Sequence, residues 1–241
     1  MTDQTCGTRP SAHRREALKL MAAGLAGMAV LPAAVAKDSH DSSGLFRIAD
    51  TVPETGEQAL HLLMEGNQRY LHEKLTSCSA NMAELRKETE AHQDPFAAIL
   101  SCADSRVPDE LVFDQTLGQI FVGRVAGNIA APDSIASMEY AAAVVGVKLI
   151  LVVGHTNCGA VKAAAANKPV PGQISTLFQY IHPAVKNTPD LNEASRRNAL
   201  LQAATLREAS PVLAELVESK KLLIRAAIYD VGSGIVTLLD G

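Results

Sequence analysis

The chain has 241 residues, 47% of them apolar and 20% charged, with a formal net charge of −4. This composition excludes disordered and fibrous classes, and the acidic balance gives no electrostatic reason to bind a nucleic-acid backbone or an anionic membrane. One compact domain of roughly 200 residues is expected once an N-terminal leader is set aside.

The leader spans residues 1–36. Arg14-Arg15 precedes an apolar run from Leu18 to Val35, which closes on Ala34-Val35-Ala36, the order of regions in a cleavable export signal. The stretch from His13 to Lys19 resembles the twin-arginine consensus, lacking its usual Ser and Phe. The mature protein is therefore expected to begin at Lys37 and to work in the periplasm or otherwise outside the cytoplasm. Gly24, Gly27 and Pro32 interrupt the run, which is short for a span of ~20 residues, so no stable membrane anchor is expected.

Residues 37–56 carry Asp, Ser, Gly and Pro without apolar periodicity and read as an exposed arm. From 57 onward a single folded domain is expected to run to 241. Leu60, Leu63, Met64 and Leu71 predict a helix over 57–74, and Asn81 caps a second that runs to about His92. Continuous apolar runs at 96–100 and 148–153 predict strands covered on both faces, with a shorter one at 120–122. Asp133 is a cap for a helix whose Ile135, Met138, Ala142 and Val145 share a face, ending at Gly146. Helices over 158–166, 174–186, 193–209 and 211–219 follow, then strands near 222–229 and 235–239. The alternation predicts an α/β fold: a mostly parallel central sheet flanked by helices, its site beyond the carboxyl ends of the strands.

Two chemically loaded segments follow predicted strands, Cys102-Ala103-Asp104-Ser105-Arg106 and Gly154-His155-Thr156-Asn157-Cys158-Gly159. Cys6 leaves with the leader, and the odd number left, Cys78, Cys102 and Cys158, argues against a disulfide framework. A substrate of twin-arginine export folds before it crosses and can take up a metal in the reducing cytoplasm. Cys102, His155 and Cys158 offer thiolate and imidazole donors that suit zinc and leave one position for water, with Gly154 and Gly159 allowing close backbone approach. Asp104 can accept a hydrogen bond from that water or become a fourth ligand, and Arg106 can hold the carboxylate in a bidentate pair. Taken singly, each residue also reads as a core cysteine, a satisfied histidine or a surface ion pair; their placement at two strand ends favours the metal.

The two segments resemble the paired signatures of β-class carbonic anhydrases, in the family's order and separation. The similarity extends through Glu65 to Tyr70, Val107-Pro108, Phe121-Val122, Ala126 to Asn128, Glu139-Tyr140, Gly146 to Lys148 and Tyr229-Asp230. The resemblance implies a zinc lyase that reversibly converts carbon dioxide to bicarbonate and a proton. Cys102, His155 and Cys158 would be ligands and Asp104 with Arg106 the orienting dyad, while Gln93, Phe121, Ala126, Tyr140 and Gly159 would line the substrate pocket. It also implies a homodimer or dimer of dimers, with N-terminal helices packing on a partner and some pocket residues crossing between subunits. Two thiolates offset the ion's charge, so its water is expected to titrate somewhat above ~7 and activity to rise on the alkaline side.

The chain departs from the family at Arg124-Val125, where Arg-Asn is usual, and at Ala126, where Val is commoner. Members that switch off by turning the dyad aspartate onto zinc share a Trp where this chain has Ile99, and the chain has no Trp at all; an open resting site is expected, with Asp104 paired to Arg106. Competing functions are hydrolysis of carbon disulfide or carbonyl sulfide on the same fold, and non-catalytic zinc binding.

Overall fold

The computed structural model describes residues 52–240; the expected leader, and the arm through residue 51, lie outside the described residues. The arm ends earlier than expected, because Thr55 caps α1 (Gly56–Leu71). Its hydroxyl accepts from the Gln58 N–H at 3.3 Å, and Gln58 Oε1 accepts from the Thr55 N–H at 3.2 Å, a reciprocal box readable in T-x-x-Q. Among the described residues no helix is long and apolar enough to cross a membrane.

Five strands form one sheet: β1 (Ala97–Ser101), β2 (Ile120–Arg124), β3 (Leu149–His155), β4 (Leu223–Tyr229) and β5 (Val236–Leu239), in the order β2-β1-β3-β4-β5. All pairings are parallel except β4 with β5. Every residue of β1 and β3 is buried, as expected for central strands with helices on both faces. Alternate side chains separate into two cores. Ala97 and Ile99 join Leu149, Leu151 and Val153 beneath Ala59, Leu60 and Leu63 of α1. Ala98 and Leu100 join Ile150 and Val152 against Met138 of α4 (Pro132–Glu139), Ala199, Ala203 and Leu206 of α7 (Leu191–Ala209) and Leu213 of α8 (Pro211–Glu218). The apolar face of α1 is thus laid on its own sheet. The remaining helices are α2 (Met82–Glu88), α3 (Asp109–Val112), α5 (Gly159–Ala166) and α6 (Phe178–Val185).

The helix expected from Asp133 to Gly146 differs in two ways. Pro132 sits in its first turn, with Ala131 at the cap position, so Asp133 is already inside the helix. Beyond Glu139 the chain widens into a π turn over Tyr140–Val145, and the N–H groups of Gly146 and Val147 both reach Ala141 O, at 2.9 and 3.1 Å. The extra residue rotates the face, burying Ala141 and Ala142 while Tyr140 and Val144 are 48% and 69% exposed. The second helix stops at Glu88, shorter than expected, where the Thr89 hydroxyl bonds back to Leu85 O. Four-residue α3 follows Pro108 and is too short to carry a periodic signal.

Gly66 marks a tight approach of α1 to the rest of the domain: a Cβ there would lie 1.8 Å from Phe113 O. Backbone cannot yield as a side-chain tip does, so Gly66→Ala is expected to destabilise by about 3 kcal/mol. In a domain of this size that is a fall of about 6–12 °C in Tm, which a calorimetric scan of the two proteins measures.

Candidate metal centre

The sheet order reverses at β1, since β2 lies on one side of it and β3 on the other. The carboxyl ends of β1 and β3 therefore frame a crevice. Cys102 leaves the end of β1, His155 is the last residue of β3, and Cys158 is the cap residue of α5. The turn between the last two requires Asn157 at φ 55°, a left-handed position that Asn tolerates. Gly154 permits the close packing beneath, since a Cβ would lie 3.1 Å from Ser195 O; Gly159 faces open space.

These elements bring Cys102, His155 and Cys158 together, with one donor atom of each within 4.8 Å of the others and all three residues buried. His155 Nδ1 lies 2.9 Å from Thr156 O; donating its proton there leaves Nε2 with a lone pair. That Nε2 is buried without a hydrogen-bond partner. The Gly127 N–H donates to Cys102 Sγ at 3.3 Å. The neighbouring Cys158 thiol, helped by this N–H, lowers the Cys102 pKa against the effect of burial, and the same sharing raises that of Cys158. A buried pair of sulfurs beside an orphaned imidazole nitrogen is a donor set that fits zinc.

Asp104 stands beside the cluster, its Oδ2 3.9 Å from His155 Nε2. Arg106 grips it by a fork, Nε to Oδ1 and Nη2 to Oδ2 both at 2.9 Å, and its backbone N–H also donates to Oδ1 at 2.9 Å. The Arg106 guanidinium, opposed by burial and helped by that N–H, keeps the Asp104 carboxyl well below the usual carboxylate range. Arg106 Nη2 also donates to Asn157 O at 3.3 Å, so the dyad ties the two strand-end loops together.

Ala126 lies next to Gly127 in the loop that touches Cys102 Sγ, and Gly159 directly follows Cys158. The other pocket residues are not brought to this chain's own cluster. Gln93 is exposed ahead of β1, whereas Cys102 follows its far end. Phe121 pairs in register with Ala98, three residues short of the end of β1, and meets Tyr140 in a tilted ring contact with centroids 6.3 Å apart. Sequence motifs give positions along the chain, not the face a residue takes up.

Sequence reasoning also missed how α7 holds the site loops. Asn198 Nδ2 donates to Gly127 O at 2.8 Å, the Ala130 N–H donates to Gln202 Oε1 at 2.9 Å, and the Asn157 N–H donates to Asn192 Oδ1 at 3.0 Å. Asn198 and Gln202 are buried; the signal was their i, i+4 spacing among alanines of the packed face.

A family profile described as carbonic anhydrase matches residues 97–236. The chain is 34% identical over 187 residues to carbonic anhydrase 2 of Mycobacterium tuberculosis, covering 74% of this chain and 90% of that protein. Among solved structures it is similar to the Coccomyxa β-carbonic anhydrase in complex with acetazolamide, at 26% identity and TM-score 0.60, covering 75% and 86% of the two chains. A tetrameric β-carbonic anhydrase of Sordaria macrospora shares the fold at 22% identity and TM-score 0.60, covering 76% and 98%.

Proposed function

Since the chain belongs to the β-class carbonic anhydrase family, we propose that it hydrates carbon dioxide reversibly on a zinc ion held by Cys102, His155 and Cys158. The observation that carries this reading is the buried sulfur–imidazole–sulfur cluster with an ionised carboxylate held at its side. Zinc in a site of three protein ligands supplies Lewis acidity that makes water a nucleophile near neutral pH. Asp104, already engaged by Arg106, would accept a hydrogen bond from the nucleophilic water and so orient it. Arg106 fixes that acceptor by its fork and by its bond to Asn157 O. His155, the one histidine of the two motifs, serves as a ligand, so the released proton passes to buffer.

Further parts of the reading come from the family. Gln93, Phe121 and Tyr140 line the pocket across a homodimer interface, consistent with their distance from this chain's own cluster and with the exposure of Tyr140 and Val144. Assembly into a dimer or dimer of dimers would cover that surface. Stopped-flow hydration of carbon dioxide on samples of measured zinc content tests the activity. Turnover of carbon disulfide or carbonyl sulfide alone, or zinc without turnover, overturns it.

We also propose that the protein is exported, on the strength of Arg14-Arg15 and the Ala34-Val35-Ala36 end. Changing Arg14 and Arg15 together to lysine is expected to leave a folded, active precursor in the cytoplasm. Mass spectrometry of the exported parent protein is expected to find Lys37 at its N-terminus; an intact Met1 in that fraction would refute cleavage.

A further inference from the structure

Asp109 is wholly buried, although nothing in the reaction described above uses it. Ser101, the residue before Cys102, donates its hydroxyl to Asp109 Oδ2 at 2.5 Å, while Oδ1 has no hydrogen-bond partner. Burial pushes the Asp109 carboxyl up to about 7, against the pull of the Ser101 hydroxyl and the Arg124 cation. A carboxylate so placed destabilises the fold unless a cation faces it. That cation is Arg124, whose Nε lies 4.0 Å from Asp109 Oδ2.

Arg124 is the last residue of β2 and pairs in register with Ser101. Its Nε donates to Cys102 O at 3.0 Å and its Nη2 to Asp104 O at 2.5 Å. One guanidinium therefore clasps the carbonyls on either side of Ala103, in the turn that carries both Cys102 Sγ and the Asp104 carboxylate. Neutral carbonyls satisfy its donors but not its charge. Glu110, the neighbouring acid, is exposed.

We infer that Asp109 is a positioning residue: by anchoring Arg124 and Ser101 it holds the Cys102–Asp104 turn in the shape that presents the sulfur ligand and the dyad carboxylate together. This rests on the metal reading above. Asp109 is outside the Cys102, His155 and Cys158 donor cluster, and its effect passes through Arg124 and Ser101.

The test uses the full chain loaded with zinc and measures chelator-driven zinc release beside kcat and KM. Asp109→Asn keeps the size and an acceptor for Ser101 while removing the charge; Arg124→Gln removes the clasp. Each is expected to speed zinc release about tenfold and to lower kcat by a similar factor, as loss of an outer partner does, with KM little changed. Because both act on one clamp, the double variant is expected to match the worse single rather than the product. Ser101→Ala, the mildest change, is expected to speed release about threefold and stands in should Asp109→Asn fail to fold. Release at the parental rate in a folded Asp109→Asn or Ser101→Ala protein overturns the inference, as does multiplication of the two single effects. A parent chain that binds no zinc would instead overturn the metal reading.

Discussion

Replacing Cys158 by Ser is expected to remove metal and activity together: zinc content below about a tenth of the parent's, and hydration down by at least about 10³-fold. The hydroxyl stays protonated where a thiolate would ligate, so a three-donor site falls to two. The fold should survive, because Cys158 is the cap residue of α5 and Ser is a preferred residue there. Circular dichroism unchanged from the parent would therefore assign the loss to the site. Metal analysis and stopped-flow on one sample check it, and a zinc-free variant hydrating carbon dioxide at the parental rate would refute the ligand assignment.

The central strands were legible because parallel strands covered on both faces read as unbroken apolar runs, as in Ala97 to Leu100 and Leu149 to Val153. The cluster was legible because Cys102 and His155 lie at strand ends and Cys158 only one short turn beyond, so position in the chain nearly equals position in space. What stayed hidden depends on backbone groups or on tertiary context. Gly127 acts through its N–H and Arg124 through two carbonyls, neither of which marks the sequence. The π turn at Tyr140 is invisible in a run of small and β-branched residues that suits an ordinary helix equally well. Asp109, read alone, is a first-turn acid of a very short helix. Only its burial against Ser101 and Arg124 gives it meaning.

Arg106→Lys should separate orientation from charge, and it is expected to lower kcat by about 10²-fold while zinc content stays at the parental level. Lysine keeps the cation but cannot form the two parallel bonds, each 2.9 Å, that fix both Asp104 oxygens. It also loses the bond to Asn157 O that joins the two loops. The pH dependence carries a sign that tells protonation from misplacement. Arg106 is the main reason the Asp104 carboxyl sits below its ordinary range, so weakening the fork raises that pKa towards ~4. The carboxylate is still ionised at neutrality, and raising the pH further cannot restore the lost rate. Freed from its fork, Asp104 lies near enough to His155 Nε2, 3.9 Å from Oδ2, to swing onto the metal. A crystal structure of the zinc-loaded variant is expected to show an Asp104 oxygen at ~2.0–2.2 Å from the ion, a ligand distance that closes the fourth position. Parental kcat in Arg106→Lys, with Asp104 unmoved, would mean that charge alone suffices and that the fork is incidental.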